Sequence, residues 1–554
     1  MIKKIFYSQT KTVTFAAFIL AISSLISKIL GLLRDRLLAG YFGASRELDI
    51  YFAAFRIPDF IYAVLIMGGM TAVFLPLFAD YFEKYKKENS RNEKEARWPE
   101  EVLNFVNNVL NILFIFLVFL CGLLAIFTPQ IIKFIIPGFS PSEKSLAISL
   151  TRIMFLSPLF FGLASIFSGI LHYFNRFLSY SLAPILYNLS IIFAIIFLLP
   201  IFGLYGLVYG VVLGAFIYLL IQVPAAKASG YSYKFIINFK DSNLKKIYKL
   251  ATPRILGSIA SQINLVVITA IASTLSPGSI SIFNFSNNLH YFPIGLIGVS
   301  FALSSFPTLS KVWANGQKEE FSRNFSSTLN QIIFLIMPII ILIFLLRAQI
   351  VRLILGTGQF GWLETRLTAA ALGVFSLGIL AEGIIPFLNR AFFSLQETKV
   401  PVLISIFSML VNIFLSFSFV NFLKGDNYFR NFFLYFLKLE GVNNIEIIGL
   451  PLALSISAVI QAFLLFIFFQ KKTKINLKII TSSFVKIFTA SFSMFLVVYL
   501  TRQTTAGFVN MSTFFGLLMQ FSIAAVFGLG VYFLISFLLK LPEIKIIKDA
   551  FLKN

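Results

Sequence analysis

Charge is what this chain has least of. Only 12% of its 554 residues are Asp, Glu, Lys or Arg, about half the share of a soluble domain. Acids are scarcer still, 23 against 46 bases. With 58% hydrophobic residues, such a chain cannot present a water-soluble surface, which excludes a soluble globular domain. The single cysteine, Cys121, excludes a disulfide framework, and the two histidines, His172 and His290, are isolated in the sequence. No metal site, cofactor or catalytic residue set is therefore expected, and the chain is not read as an enzyme. No glycine-rich phosphate loop ending in lysine is present, which speaks against an ATP-driven pump. The net charge of +23 suggests nucleic acid, but the bases cluster between apolar runs, as membrane orientation requires. A nucleic-acid partner is not expected.

What the chain does have is a series of apolar runs of about 20 residues, the length that crosses a bilayer. They fall near 12–34, 49–79, 103–127, 147–171, 181–201, 203–223, 249–274, 281–310, 325–346, 367–391, 400–422, 446–469, 481–501 and 514–539. The reading is an all-α integral membrane protein of about 14 transmembrane helices. The loops "EKYKKENSRNEKEARWPEE", "KASGYSYKFIINFKDSNLKK", "SKVWANGQKEEFSRN" and "QKKTKINLK" are basic, whereas "LPIFGLYG" and "TLSPGS" are nearly uncharged. Positive loops stay inside, so both termini are expected in the cytoplasm, and "MIKKIFYSQTKTV" is not read as a cleaved signal. Two segments break the trend: "RAQIVRLILGTGQFGWLETR" and "KGDNYFRNFFLYFLKLEGVN". The three tryptophans, Trp98, Trp313 and Trp362, fall at expected helix ends, as in an interfacial belt.

The chain also echoes itself. Residues 56–88, "RIPDFIYAVLIMGGMTAVFLPLFADYFEKYKKE", resemble residues 290–320, "HYFPIGLIGVSFALSSFPTLSKVWANGQKEE", with Pro76 opposite Pro307. In a second echo Asn175-Arg176 and Asn389-Arg390 open a cytoplasmic loop, and Pro184 and Pro401 start the next helix. Two six-helix lobes in the same orientation plus two extra C-terminal helices account for this. The division expected is an N-lobe at 1–225, a cytoplasmic linker at 226–248, a C-lobe at 249–470 and a C-terminal segment at 471–554. Parallel repeats place a substrate near the membrane midplane at the interface between lobes.

A charge at mid-membrane costs roughly 2.5–3.5 kcal/mol on insertion scales, so the charges inside the spans need a reason. In "SKILGLLRDRLLAGYF", Lys28 and Asp35 share one helical face, Arg34 lies on the next, and Gly31 between them can loosen the helix. Arg36 reads as snorkelling to the interface. The second span carries Arg56 and Asp59, spaced for a local ion pair, and the glycines of "MGGM". Arg254 opens the seventh span, followed by Gln262 and Asn264 as polar lining. Glu382 is an acid well inside a later span: a candidate for ion coupling, with contact to a neighbouring helix the plainer reading. Gly206, Gly210 and Gly214 form a packing stripe. Several bases and few acids suit an anionic substrate, above all a diphosphate.

The blocks "SKILGLLRDRLLAGYFGASRELDIYFAAFRIPDF", "FLPLF", "NRFLSYSLAPILYNLSII", "GVVLGAFIYLLIQVP", "RLILGTGQF" and "NRAFFSLQETKVP" resemble the MurJ family of lipid II flippases, over about residues 12–470. The resemblance implies the fold of the multidrug/oligosaccharidyl-lipid/polysaccharide exporter superfamily: two lobes about a cationic cavity, with the last two helices grooved for a polyprenyl tail. It implies that Lys28 stands for the first arginine of the family's opening motif, Arg34 for the second, Asp35 for the acid after it, and Asp49 for the acid leading into helix two. Two further family arginines are Tyr62 and Asn288 here, and a family acid is Met67. Tyr62 and Asn288 keep only hydrogen bonding, so either Arg56 and Arg254 compensate or the lipid-linked substrate is an altered one. The site expected is Lys28, Arg34, Arg56 and Arg254 on the diphosphate, none neutralised by a permanent carboxylate partner, with Asp35, Asp49, Tyr62, Gln262 and Asn288 in support. The function implied is movement of an undecaprenyl-diphosphate-linked peptidoglycan precursor from the inner to the outer leaflet of the bacterial inner membrane by alternating access. The partners implied are lipid II or a similar polyprenyl-diphosphate lipid, the membrane itself and the cell-wall synthesis machinery. The alternatives are a flippase for another polyprenyl-linked glycan, such as an O-antigen or capsule unit, and a non-transporting scaffold of cell-wall assembly.

Overall fold

The computed structural model describes residues 13–89 and 98–544, and among them there is no strand. The basic ends 1–12 and 545–554 and part of the first basic loop, 90–97, lie outside the described residues. The spans are α1 Val13–Phe42; α2 Arg46–Lys84, α3 Glu100–Ile135, α4 Pro141–Tyr173, α5 Phe177–Phe202 and α6 Leu204–Lys227; α7 Ser242–Ser273; α8 Ser279–Ala314 and α9 Lys318–Leu355; α10, a pair Trp362–Phe375 and Ile379–Ser394 bent by 47°; and α11 Lys399–Lys424, α12 Glu446–Thr473, α13 Leu477–Ala506 and α14 Phe514–Leu538. Eleven of these are long and apolar enough to cross a membrane alone and the bent α10 makes a twelfth. Helix α1 and the apolar Ile259–Ser273 part of α7 complete the fourteen read from the sequence. The protein is a multi-pass membrane protein.

Contacts divide the chain into two compact units, Met1–Leu38 with Ser45–Thr274, and Ala39–Ala44 with Leu275–Asn554. In the first, α6 packs on α4 and α5, and α7 packs on α2 and α3. Its core is aromatic at one end: Phe74, Phe78 and Trp98 are buried, with Tyr173 and Phe174 packed against them. In the second, α9 packs on α10, α13 and α14, and α11 lies along α12. The glycine stripe on α6 is packing, as its spacing implies. A Cβ at Gly210 would come within 2.1 Å of the Ala194 Cβ, and one at Gly206 within 2.3 Å of the Leu198 carbonyl oxygen.

The first internal echo is structural. Helix α2 changes to π-helical bonding over Tyr62–Met70, and α8 does so over Ile294–Gly298. The register that sets Pro76 opposite Pro307 places the second π segment against residues 63–67 of the first. Pro58 just before it lacks an N–H and leaves the Ala54 carbonyl without its helical donor; the Thr151 hydroxyl of α4 approaches that oxygen at 3.4 Å. The second echo is looser than expected. Asn389 and Arg390 lie inside Ile379–Ser394, so the loop opens only after Ser394, and Pro184 sits well inside Phe177–Phe193 while Pro401 is in the first turn of α11. Of the tryptophans, Trp362 is 69% exposed at the start of α10, as a belt residue should be, but Trp98 is buried and donates from its indole nitrogen to the Ser229 carbonyl. Part of the segment after α11 is a short helix, Tyr428–Leu437, because the Asn427 side chain caps it by accepting from the Arg430 amide at 2.9 Å.

Candidate functional site

In the first unit the charges of α1 and α2 converge. Helix α1 runs through Gly31 without a break, so Gly31 does not loosen it, and Asn188 of α5 lies beside it, an added Cβ meeting Asn188 Oδ1 only at 4.0 Å, an ordinary contact. Asn188 binds α1 at two residues. Its Nδ2 donates to the Ser27 carbonyl and hydroxyl, both at 3.2 Å, and its Oδ1 accepts from Arg34 Nη1 at 3.4 Å. Lys28, next to that anchor, is half-buried.

Arg34 corrects one expectation. Its Nη2 and Nε donate to Asp35 Oδ1 at 2.8 and 3.1 Å, so this cation does have a carboxylate partner on its own helix. The cause is the cost of separation: Asp35 is only 3% exposed, and an unpaired buried carboxylate is far less stable than a paired one. Arg56 on α2 is held differently, its Nε donating to Thr269 Oγ1 of α7 at 2.7 Å. Asp59, one turn on, is exposed and lies within electrostatic reach of both Arg34 and Arg56. Tyr62 is half-buried with its ring 4.8 Å from Phe161, and Tyr51 and Tyr187 close the group around Arg34 and Asp59. Two guanidinium groups, ringed by phenols and an amide, form a surface able to grip an anion by several charge-assisted hydrogen bonds.

The remaining expected residues are placed as follows. Asp49 is fully buried in the first turn of α2, which Ser45 caps by accepting from the Leu48 amide at 3.3 Å. Arg46 reaches Asp49 at 4.0 Å and Glu143 at 3.6 Å and stacks over Phe139, so Asp49 belongs to the anchoring of α2. Gln262 is half-buried on α7. Arg254, on the same helix, lies outside the described residues as far as its side chain is concerned. In the second unit Asn288 is exposed on α8. Glu382 on α10 has its Oε1 3.1 Å from His290 Nε2 of α8, with the imidazole stacked on Phe375 at 4.4 Å. The histidine that is isolated in the sequence thus faces an acid, with neither His290 Nε2 nor Glu382 Oε1 in a formed hydrogen bond among the described residues. Asn188, Thr269 and Tyr187 were not singled out by the sequence; the signal available for Asn188 is a lone amide within the apolar block "LAPILYNLSII".

The family model described as lipid II flippase MurJ matches residues 38–519. A probable lipid II flippase MurJ of Buchnera aphidicola subsp. Schizaphis graminum is 32% identical over 470 residues, 83% of each chain. The lipid II flippase MurJ of Burkholderia cenocepacia is 25% identical over 462 residues, 81% of this chain and 82% of that protein. Among solved structures, a lipid II flippase MurJ in an inward closed conformation superposes with a TM-score of 0.72 at 28% identity, over 94% of this chain and 98% of the other. An inward-facing multidrug transporter of the MATE family matches with a TM-score of 0.64 at 14% identity, over 83% and 98%, a likeness of fold alone.

Proposed function

The chain belongs to the lipid II flippase MurJ family, and from that premise we propose that it moves lipid II, the undecaprenyl-diphosphate-linked peptidoglycan precursor, from the inner to the outer leaflet of the bacterial inner membrane. The observation that carries the mechanism is the convergence of Arg34 and Arg56 in one unit, each fixed by a neighbour rather than left to fold away.

In this reading the diphosphate is gripped by Arg34 and Arg56, with Lys28 and Arg254 contributing charge and Tyr62 and Gln262 hydrogen bonds. Asp35 aims the Arg34 fork, and Asp49 fixes the start of α2. Arg56 takes the load that the arginines absent at Tyr62 and Asn288 would carry. Asp59 beside both guanidinium groups weakens the grip enough for release, since a site that holds its cargo too tightly cannot turn over. Access alternates between leaflets, and both termini stay in the cytoplasm. Outward movement of an anionic head across an inside-negative membrane is favoured by about 2.3 kcal/mol per charge per 100 mV, so no nucleotide is required. Glu382, facing His290 of α8, is the place for ion coupling. The cell-wall synthases that consume lipid II are the natural partners.

The test is complementation. In a strain depleted of its own flippase, the wild-type chain should restore lipid II at the outer leaflet, Asn288→Arg should do so at least as well, and Arg34→Ala should not. Growth with lipid II still confined to the inner leaflet would remove the flippase reading.

A further inference from the structure

The basic segment 347–366, which breaks the charge rule of the loops, is not used by the site above. It belongs to the second unit, where α9 loses helical geometry at Leu346 (φ −106°, ψ 18°). The carbonyls freed there take up two arginines: Arg347 Nη1 donates to Phe344 at 2.8 Å, and Arg502 Nη1 of α13 donates to Leu345 at 2.7 Å. A buried amide pair fixes α14 beside them, Gln349 Nε2 donating to Gln520 Oε1 at 2.7 Å and Gln520 Nε2 to the Arg502 carbonyl at 2.8 Å.

Two arginines remain, Arg352 and Arg366, and both line a cavity of about 460 Å³ between the end of α9, the start of α10 and the α13–α14 connection. Arg366 is steadied by the Lys438 and Glu440 carbonyls. Arg352 makes no side-chain hydrogen bond or ion pair among the described residues, and neither arginine has a carboxylate within 4.0 Å among them. The rest of the wall is mainly apolar, from Trp362, Met511 and Leu517, with Gln349 beside them. Trp362 in its wall is 69% exposed, and Phe508 and Phe515, which flank in sequence the Met511 and Ser512 of that wall, are 91% and 79% exposed, the pattern of aromatic side chains seated at a bilayer surface.

Two unneutralised guanidinium groups against an apolar wall at a bilayer rim call for a ligand that is anionic at one end and greasy at the other. We propose that this cavity binds the phosphate head of a membrane amphiphile, Arg352 and Arg366 holding the phosphate while the first carbons of the tail lie along Trp362 and Leu517. The volume falls in the usual range for small ligands and exceeds what bare phosphate fills. The site is independent of the transport site, so its failure and that of the flippase reading are separable.

Native mass spectrometry of the full chain released from detergent tests this, with four probes offered at equal concentration: phosphatidylglycerol, geranylgeranyl diphosphate, diacylglycerol and sodium pyrophosphate. The wild type should retain a phosphate-bearing amphiphile and reject diacylglycerol. Arg352→Ala should lower retention roughly tenfold, as loss of a charge-assisted contact does, with Arg352→Lys intermediate and Arg323→Ala unchanged. Retention of phosphatidylglycerol identifies a phospholipid as the source, and preference for the isoprenoid diphosphate identifies a carrier lipid. Equal retention by wild type, Arg352→Ala and Arg352→Lys, each with unaltered thermal unfolding, overturns the proposal. So does displacement by pyrophosphate at the same concentration, which would reveal a bare anion site.

Discussion

Arg34 Nη2 lies 2.8 Å from Asp35 Oδ1, an ion pair between consecutive residues deep in the first helix. Replacing Arg34 by Ala would leave Asp35, 3% exposed, without its partner, a change that costs about 3–5 kcal/mol at buried pairs. Loss of function in that variant therefore mixes folding with binding. Arg34→Lys separates them, because it keeps the charge and loses the planar fork. Its membrane level should stay near that of the wild type while lipid II export falls about tenfold, one charge-assisted contact's worth. Export equal to wild type, measured by outer-leaflet labelling, would mean the fork does not hold the substrate.

Arg56 and Thr269 join α2 to α7 by one hydrogen bond of 2.7 Å. Thr269→Val keeps the shape and removes the acceptor, so the guanidinium loses a partner worth about 1.5–3 kcal/mol. The expected result is a lower unfolding temperature together with weaker export, whereas Thr269→Ser should retain both. A valine variant that unfolds and transports like the wild type would show that Arg56 is positioned by other contacts.

How much of this was legible follows from the range of each interaction. Helix count and spacing come from the length of apolar runs, a local property, and they agree with the fold down to the short apolar part of α7. The first echo was readable because Pro76 and Pro307 mark the same place in both copies. The π segments were not, since a change from i−4 to i−5 bonding over five to nine residues leaves no mark in composition. The Arg34–Asp35 pair was missed because neighbouring residues on a helix point away from each other, and only the length of the arginine side chain brings the groups together. Asn188 and Thr269 act on residues more than 150 positions away, a choice made by packing. His290 looked inert for the same reason, its acid partner lying on another helix.

Outside the membrane, Lys472 bonds Glu397 in the loop before α11 and, with the Lys399 amide, holds that carboxyl below its ordinary value of 4.5. A depressed carboxyl contributes stability that is fully present above the unfolded value and is lost as pH falls through the folded one. The contact should therefore weaken only below about pH 4.5, and its contribution is small because the pair is at the surface. Thermal unfolding between pH 3 and 6 should show a slightly steeper acid loss in the wild type than in Glu397→Gln. Parallel curves would mean that the pair does nothing for stability.

The last prediction concerns two helices of the second unit that touch through glycine. A Cβ at Gly298, in the π segment of α8, would lie 2.4 Å from the Gly383 carbonyl oxygen of α10. That atom is backbone and cannot swing away, so Gly298→Ala must push α8 and α10 apart. Overpacking of this kind typically costs about 1–3 kcal/mol. Gly383 adjoins Glu382, and His290 lies on α8, so the same displacement stretches the 3.1 Å contact between Glu382 and His290. Gly298→Ala should then lower the unfolding temperature and, if the acid and imidazole act together in ion coupling, change the pH dependence of export in the same direction as Glu382→Gln. Gly122→Ala, where an added Cβ meets nothing within 4 Å, is the control and should leave both unchanged. A Gly298→Ala protein with wild-type unfolding would show that the glycine contact is slack; one that is destabilised but keeps the wild-type pH profile would show that the pair serves packing and not coupling.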